Sequence, residues 1–436
     1  MSNNNDFSSD SNNDKFNDFL EKATCGDAVS QNYVAHGYYF GEGVEQDGTK
    51  AVYWWTQAAE QGDADAQNNL GFCYFTGEGV SKDLEKTVYW WTKAAVQGYA
   101  KAQRNLGNIY CEGKGVEEDQ EKAIYWWTKS AEQGDITAQF ILGNCYSKGE
   151  GVAKDLKKAA FWWEKAAEQG DIKAQRDLGN RYESGEGVEK DQERAVYWWT
   201  KAAEQGDVKT QFNLGMCYQH GMGVSKDMKK AVYWYTKAAE QGLPQAQYSV
   251  GWCYQHGNGV LKSLEKAVFW FTKSAEQGNV NAQNSLGLCY QQGEGVLKDY
   301  KKAVYWYTKS AKQGDASGQI CLGACYQNGN GVLKDEKKAV EWWTKAAEQG
   351  HAGAQSILGL AYEMSLGVAK DLEKAVEWNT KAAEQGDADA QYRLGLAYEN
   401  GKGVTMDKEK AIYWYTKAAE QGIFQAEPRL KRLTSR

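Results

Sequence analysis

Residues 63–98 read DADAQNNLGFCYFTGEGVSKDLEKTVYWWTKAAVQG, and close variants of this segment follow one another along the chain. The first half has apolar residues at the spacing of one helical face, namely Ala66, Leu70, Cys73 and Tyr74. Asp63 is suited to cap that helix, and the glycines of GEGV allow the chain to turn back after it. A second cap candidate, Asp83, precedes the helix that contains YWWT. The segment therefore predicts two helices joined by a tight turn.

The period of this segment is constant along the chain. The dipeptide QG recurs every 36 residues from Gln61-Gly62 to Gln421-Gly422, eleven times in all. The motif GxGV recurs at the same interval, with one departure where Ser365 takes the place of the first glycine. A fixed period without insertions is typical of stacked structural repeats. Because the pattern has no strand signal, we predict an all-α fold, a right-handed α-solenoid of helix–turn–helix repeats.

The two ends of the chain differ from the repeat in ways that suit caps. We predict eleven repeats over residues 27–422, with a capping helix before them at 15–26 and another after them at 423–436. Caps are expected because each end of a stack would otherwise expose its packing surface. Residues 1–14 are rich in Asn, Ser and Asp and predict a disordered tail.

Composition narrows the class of protein. The 436 residues include 51 basic and 58 acidic side chains, which are interleaved and give a formal net charge of −7. No basic stripe stands out, so nucleic acid is not expected as a ligand. The N-terminus lacks the basic and apolar segments of a secretory signal, and no apolar run approaches the roughly 20 residues that cross a bilayer. We therefore expect a cytoplasmic protein without membrane insertion.

The cysteines follow the same period as the repeat. Six of the nine are separated by multiples of 36 residues: Cys73, Cys145, Cys217, Cys253, Cys289 and Cys325. Equivalent positions in stacked helices lie roughly 10 Å apart, whereas a disulfide needs Cα atoms within about 7 Å. We therefore predict reduced, buried thiols. Cys321 and Cys325 share a helical face, but no histidine is near them in sequence, so we expect neither a metal site nor a cofactor.

Taken together, these motifs resemble the Sel1-like repeat, a relative of the tetratricopeptide repeat. The matching residues in one unit are Ala174-Gln175, Leu178-Gly179, Tyr182, Gly185-Glu186-Gly187-Val188, Asp191, Ala195, Trp198 and Lys201-Ala202-Ala203-Glu204-Gln205-Gly206. The resemblance extends over about residues 27–422. It implies an adaptor scaffold that holds other proteins together, and it does not identify a partner.

The three adjacent aromatic residues of YWWT cannot all face one core, because neighbouring helical residues diverge by about 100°. The helical projection predicts that Trp54 and its equivalents are core residues, with the second aromatic at the edge of the same stripe. Tyr53 projects to the opposite side, where two repeats have Glu341 and Glu377 instead. Either the tyrosine lies across the next repeat with its hydroxyl in water, which we favour, or the row is an exposed aromatic ladder that binds a ligand.

The first helix of each unit has a polar face whose residues vary between repeats. In solenoids of this type that face lines a concave groove, and here it includes apolar and aromatic side chains, which are typical of a protein-binding surface. We therefore predict a concave peptide or protein site formed by Arg104, Phe140, Arg176, Phe212, Gln219, Tyr248, Trp252, Gln255 and Leu288. The rings would bury apolar groups of a partner, the arginines would pair with its acidic residues, and the glutamines would bond its backbone. In the alternative interpretation, these side chains only cover neighbouring repeats.

We predict that the protein is not an enzyme, although some Sel1-like proteins have been associated with β-lactam hydrolysis. The serine motif S-x-x-K occurs once, at Ser263-Leu264-Glu265-Lys266, without S-D-N or K-T-G, and Ser263 stands where other repeats have a helix cap. His220 and His256 occupy one position in adjacent repeats and are expected roughly 10 Å apart, too far to share a zinc ion. A hydrolase and a passive structural spacer are the alternatives to an interaction scaffold.

Overall fold

The computed structural model describes residues 7–435, with side chains from residue 13 onward. Over this range the chain has 24 α-helices and no β-strand. The helices are α1 (Phe7–Thr24), α2 (Ala28–Phe40), α3 (Gly48–Glu60), α4 (Ala64–Thr76), α5 (Leu84–Val96), α6 (Ala100–Glu112), α7 (Gln120–Glu132), α8 (Ile136–Lys148), α9 (Leu156–Glu168), α10 (Ile172–Ser184), α11 (Gln192–Glu204), α12 (Val208–His220), α13 (Met228–Glu240), α14 (Pro244–His256), α15 (Leu264–Glu276), α16 (Val280–Gln292), α17 (Tyr300–Lys312), α18 (Ala316–Asn328), α19 (Glu336–Glu348), α20 (Ala352–Met364), α21 (Leu372–Glu384), α22 (Ala388–Asn400), α23 (Lys408–Glu420) and α24 (Ala426–Thr434).

The helices fall into two compact units, residues 1–225 with α1–α12 and residues 226–436 with α13–α24. Within each unit, helices that follow one another in sequence pack against each other. From α2 to α23 the even-numbered helices are first helices, which end at GxGV or its Ser365 variant, and the odd-numbered ones are second helices, which end at QG. This arrangement confirms the predicted α-solenoid of paired helices with a 36-residue period.

The two aspartates that were predicted to cap the N-termini of helices do so. The Asp63 carboxylate accepts a hydrogen bond from the Ala66 amide at 2.7 Å, and Asp83 accepts one from the Lys86 amide at 2.9 Å. Gly77 ends α4 in the left-handed region, with a φ of 87°, where a side chain would be strained. The second glycine of the turn, Gly79, also has a left-handed φ, of 71°. It is needed for a further reason, because a Cβ atom there would overlap the backbone of the preceding second helix.

Two glutamines explain why the AQ and QG motifs recur together. Gln205, at the end of α11, donates from Nε2 to Oε1 of Gln175 on α10 at 2.9 Å. Gln175 in turn donates from its own Nε2 to the carbonyl oxygen of Ala167, near the end of α9, at 3.0 Å. Gln175 is buried, and a buried amide must be hydrogen-bonded to avoid a desolvation cost. Gln205 and Gln175 therefore link α11 to α9, the second helix of the preceding repeat, through α10, the first helix that lies between them.

The more enclosed position is the second aromatic residue of YWWT. The prediction that the first tryptophan is the core residue is therefore wrong for most repeats, although its equivalents Trp198 and Trp306 are buried, each 8% exposed. Trp55 is 2% exposed, whereas Trp54 is only half-buried. The equivalents of Trp55 pack against the glycine of the LG motif, and a Cβ atom at Gly71 would come within 2.5 Å of the Trp91 Cδ1 atom. Because glycine lets the two helices approach closely, the ring beside it is the one that becomes enclosed. Tyr53 faces outward and is 57% exposed.

The N-terminal helix is longer than the sequence predicts. Helix α1 begins at Phe7 rather than at residue 15. Residues 7–14 of the predicted disordered tail, 1–14, are therefore helical, and its first six residues lie outside the described part of the chain. Phe16 and Ala23 of α1 are buried, and the Phe16 ring occupies the space beside Gly37, where other repeats have a side chain. A helix held in this way extends at low cost, since each further residue adds one backbone hydrogen bond.

The C-terminal helix α24 packs on the end of the second unit. Ala426 is fully buried in a cluster with Tyr415 and Ala411. The Glu399 carboxylate accepts hydrogen bonds from the Tyr415 hydroxyl at 2.7 Å and from Arg429 Nη1 at 3.1 Å. Helix α24 therefore covers apolar surface that α23 would otherwise expose to water, and it lies within the segment predicted as a cap.

Candidate partner-binding face

The nine predicted site residues lie at three positions of the first helices, equivalent to residues 68, 72 and 75 of α4. We call the side chains at these positions the first-helix face. The predicted residues in 1–225 are Arg104, Phe140, Arg176, Phe212 and Gln219, and those in 226–436 are Tyr248, Trp252, Gln255 and Leu288. They therefore form two groups, one in each unit.

Both predicted arginines make ion pairs with the cap of the following first helix. Arg104 Nη1 lies 2.8 Å from Asp135 Oδ2, and Arg176 Nη1 lies 3.0 Å from Asp207 Oδ2. The aspartates cap α8 and α12, so each guanidinium joins two consecutive repeats. These two ion pairs are the kind of contact expected if the predicted site residues only cover neighbouring repeats, which is the alternative interpretation. Pairing of the arginines with a partner stays a prediction, and a partner carboxylate would have to compete with these aspartates.

The predicted aromatic residues are half-buried rather than free on the surface. In the second unit, Tyr248 and Trp252 pack against the core cluster that contains Phe271, and the Tyr248 and Phe271 ring centroids are 5.7 Å apart. Leu288, on the next first helix, is 38% exposed. In the first unit, Phe140 and Phe212 are also half-buried. Each ring thus combines a packing role with a remaining accessible edge.

The glutamines at position 75 lie in the last turn of their helices. Gln219 and Gln255 are half-buried. Their equivalent Gln291 accepts a hydrogen bond at Oε1 from the Tyr307 hydroxyl at 2.9 Å. Because the oxygen of this amide is held by the core, its NH₂ group is the part that is directed away from that tyrosine.

A row of asparagines on the same face was missed by the sequence analysis. Asn108, Asn144 and Asn180 occupy position 72 in three consecutive repeats of the first unit. Trp127 Nε1 donates to Asn108 Oδ1 at 3.0 Å, and Trp199 Nε1 donates to Asn180 Oδ1 at 3.1 Å. Each buried indole fixes the orientation of an amide, and no described residue accepts a hydrogen bond from the Nδ2 group of Asn108 or Asn180. The recurrence of asparagine at a 36-residue spacing was the signal that could have revealed them.

Next to these amides is an open groove of about 540 Å³, lined by residues of α8, α9 and α10. The buried Trp163 Nε1 atom at its base has no hydrogen-bond partner among the described residues. The Arg181 guanidinium lies over the Trp163 ring at 5.2 Å from the centroid, and Arg181 Nη2 donates to Ser147 Oγ at 3.1 Å. Burial raises the pKa of Asp177, which also lines the groove. The groove therefore presents polar groups suited to a polar chain segment.

The described residues do not form a metal centre or a membrane-crossing helix. Within residues 7–435 no cluster of three or more His, Cys, Asp or Glu side chains is arranged to hold a metal ion. No helix in that range has the length and apolar character needed to cross a bilayer. All nine cysteines are free thiols, and the six at the periodic position are buried. His220 and His256 end their helices beside the glycine turn.

Comparison with known proteins identifies the family of the repeat. The sequence profile of the Sel1 repeat matches eleven consecutive segments, residues 28–63, 64–99, 100–135, 136–171, 172–207, 208–243, 244–279, 280–315, 316–351, 352–387 and 388–423. No curated protein matches the chain.

Two solved structures are similar over most of their length. One is c5321, a protective antigen present in uropathogenic Escherichia coli strains that displays an SLR fold, with 39% identity and a TM-score of 0.87 over 96% of this chain and 90% of that chain. The other is a Sel1 repeat protein from Oxalobacter formigenes, with 36% identity and a TM-score of 0.62 over 73% of this chain and 95% of that chain. With eleven matching repeats and these relatives, the chain belongs to the Sel1 repeat family.

Proposed function

We propose that this protein is a non-catalytic scaffold that binds a peptide or protein segment on its first-helix face. The observation that carries the proposal is the fixed orientation of Asn108 and Asn180 by the indoles of Trp127 and Trp199. An amide donor that is already oriented loses little conformational freedom when it bonds a partner. Such donors suit the backbone carbonyls of an extended chain, which every peptide has.

The spacing of the donors supports the same function. Asn108, Asn144 and Asn180 are one repeat apart, although only Asn108 and Asn180 are held by an indole; equivalent positions in packed helices lie roughly 10 Å from each other. An extended chain advances about 3.3 Å per residue, so about every third residue of a bound segment would meet an asparagine. The bond to the backbone would be insensitive to sequence, and neighbouring side chains would supply selectivity.

Apolar side chains on the first-helix face of the second unit give that unit the same capacity. Trp252 keeps an accessible edge, and Leu288 is 38% exposed. Burial of apolar partner groups against such residues contributes about 25 cal/mol for each Å² removed from water. Tyr248 and Trp252 also support the core, so substitutions there would disturb packing as well as binding. Leu288 is the better position for a test in this unit.

The most direct test removes the side-chain NH₂ donors of Asn108 and Asn180 and keeps the oxygen atoms that accept the indole hydrogen bonds. In the variant Asn108→Asp/Asn180→Asp the carboxylates still accept the indole hydrogen bonds, but they offer no donor to a partner. The matched control Gln57→Glu/Gln192→Glu makes the same charge change on α3 and α11. Affinity capture from a lysate of the source organism, read by mass spectrometry, would identify proteins that bind the wild-type chain and the control.

We expect the aspartate variant, with an unchanged circular dichroism spectrum, to lose those proteins, since each lost hydrogen bond removes about tenfold in affinity. Leu288→Ser should weaken capture by proteins that use the second unit. Equal capture by all variants would exclude the first-helix face, in favour of a passive spacer or another surface. Steady turnover of a β-lactam by the purified wild-type chain would support the rival hydrolase function.

A further inference from the structure

Three leucines in the second unit are almost fully exposed to solvent. Leu261, Leu297 and Leu333 are 91%, 91% and 90% exposed. Each directly follows the GxGV turn, and they occupy the same position in three consecutive repeats. We call them the leucine row. A leucine with nine-tenths of its surface in water contributes almost nothing to the packing of its own chain.

The repeat itself does not require leucine at this position. The equivalent residues of the other eight repeats are Glu, Ser, Ala or Thr, and those repeats form the same pair of helices. The valine before each leucine has the structural role instead, since Val296 and Val332 pack against the core clusters. The leucine row is therefore an addition to the fold, confined to residues 261–333.

Each leucine of the row is followed by a lysine, Lys262, Lys298 or Lys334. The three segments around the row, 258–266, 294–302 and 330–338, each have a net charge of +1. Three equivalent segments in the first unit, 42–50, 114–122 and 186–194, each have a net charge of −2. Equivalent segments without an exposed leucine, 150–158, 222–230 and 402–410, have net charges of +1, +2 and +1, so this charge is not specific to the leucine row. Each leucine of the row nevertheless lies in a segment of small positive charge, in a protein whose overall charge is negative.

The exposure and the spacing of the three leucines indicate what kind of surface binds them. The three side chains stand apart on separate turns, and each is so exposed that no wall of a pocket surrounds it. A folded protein partner would need three matching pockets at the spacing of the repeats. The interface of a lipid bilayer is fluid and takes up separate apolar side chains without shape complementarity, while its anionic headgroups attract nearby lysines.

We infer that the leucine row binds the surface of a bilayer that contains anionic lipid, with Leu261, Leu297 and Leu333 in the apolar part of the interface. Lys262, Lys298 and Lys334 then lie at the level of the headgroups. Neither the insertion of the leucines nor the attraction of the lysines to anionic headgroups is strong alone. Stable peripheral binding commonly needs an apolar and an electrostatic contribution together. No membrane-crossing helix is involved, and the inference is independent of the first-helix face.

The test uses the full chain and sedimentation with lipid vesicles. Vesicles of phosphatidylcholine mixed with phosphatidylglycerol should bind the wild-type chain, and vesicles of phosphatidylcholine alone should bind it less. Leu261→Ser/Leu297→Ser/Leu333→Ser takes the residue that two other repeats have at this position, and it should lose about tenfold or more in partitioning. The control Tyr233→Ser/Phe269→Ser/Tyr305→Ser removes three half-exposed rings from the same unit and should bind as the wild type does.

A second measurement reports on the depth of one leucine. In a Cys25→Ser background, which removes the one exposed cysteine, Leu297→Cys is labelled with an environment-sensitive fluorophore. Its emission should shift to the blue with anionic vesicles, while the same label at Glu45→Cys, the equivalent position in the first unit, should not respond. Wild-type protein that stays in the supernatant, or a leucine variant that sediments as well as wild type, would overturn the inference. A dimer in light scattering that the leucine variant loses, without vesicle binding, would assign the row to a second copy of the chain.

Discussion

The indole of Trp199 lies directly against Gly179, so that a Cβ atom at residue 179 would come within 2.5 Å of the Trp199 Cδ1 atom. This contact joins the first and second helices of one repeat, and the ring is only 3% exposed. Gly179 is therefore kept small by packing and not by backbone conformation, because it lies within a regular helix. The first repeat accommodates Ala35 at the equivalent position, beside the buried Trp55.

We predict that Gly179→Ala destabilises the protein by about 1–3 kcal/mol, since the added methyl must displace a packed ring or separate two helices. The measurement is urea unfolding followed by circular dichroism. Gly353→Ala is the matched control, because Gly353 also lies in a first helix but a Cβ atom there would meet nothing closer than 3.4 Å. That change should be neutral or stabilise by about 0.5–1 kcal/mol. Equal effects of the two substitutions would contradict the packing explanation.

Asn379 occupies the core position that is aromatic in every other repeat. It is 4% exposed, and its Oδ1 atom has no hydrogen-bond partner among the described residues. Gly359 leaves the usual space for a ring beside it. We predict that Asn379→Trp raises the free energy of unfolding by about 1–3 kcal/mol, because it removes an unsatisfied polar group and buries an aromatic side chain. A lower melting temperature than that of the wild type would show that this repeat has packed around the smaller side chain.

Ser365 ends helix α20 with a φ of 59°, in the left-handed region where the other first helices end at glycine. A side chain in that conformation costs roughly 1 kcal/mol. We predict that Ser365→Gly stabilises the second unit by about that amount, measured as a shift in the urea midpoint. The reciprocal change Gly401→Ser, at the equivalent turn of a later repeat, should lower stability by a similar amount. The explanation fails if both substitutions move the midpoint in the same direction.

The nine thiols should differ strongly in reactivity. Cys25 is exposed, whereas the periodic cysteines are buried, and burial together with the nearby Glu78 carboxylate raises the pKa of Cys73 to about 12. Because only the thiolate reacts, we predict that Ellman's reagent at mildly alkaline pH modifies Cys25 first, with the periodic thiols reacting after unfolding. Cys25→Ser should remove the fast phase. Rapid native modification of the periodic cysteines would contradict their burial.

The arrangement of the three aromatic residues could be predicted only in part. Helical projection correctly directs Tyr53 away from the core, because that depends on one helix alone. It could not decide between Trp54 and Trp55, since both lie on the apolar stripe. The choice depends on which of them meets the LG glycine of the neighbouring helix, and that is a property of how two helices pack.

The first-helix face could also be predicted only in part. Its positions follow from the repeat and were named from the sequence. The contact of Arg104 with Asp135 and the orientation of Asn108 by Trp127 join residues 31 and 19 positions apart in sequence. No local pattern contains such pairs, so partners of individual side chains could not be assigned before the helices were placed.

The sequence by itself determined the helices, their caps and turns and the 36-residue period, because these depend on short-range backbone conformation and on apolar spacing within a single repeat. Only the tertiary structure decided which tryptophan is enclosed, why the glutamines of AQ and QG recur together, which asparagine amides an indole holds, and which leucines are exposed. Those properties depend on distances between atoms of different helices, and the distances are set when the repeats stack.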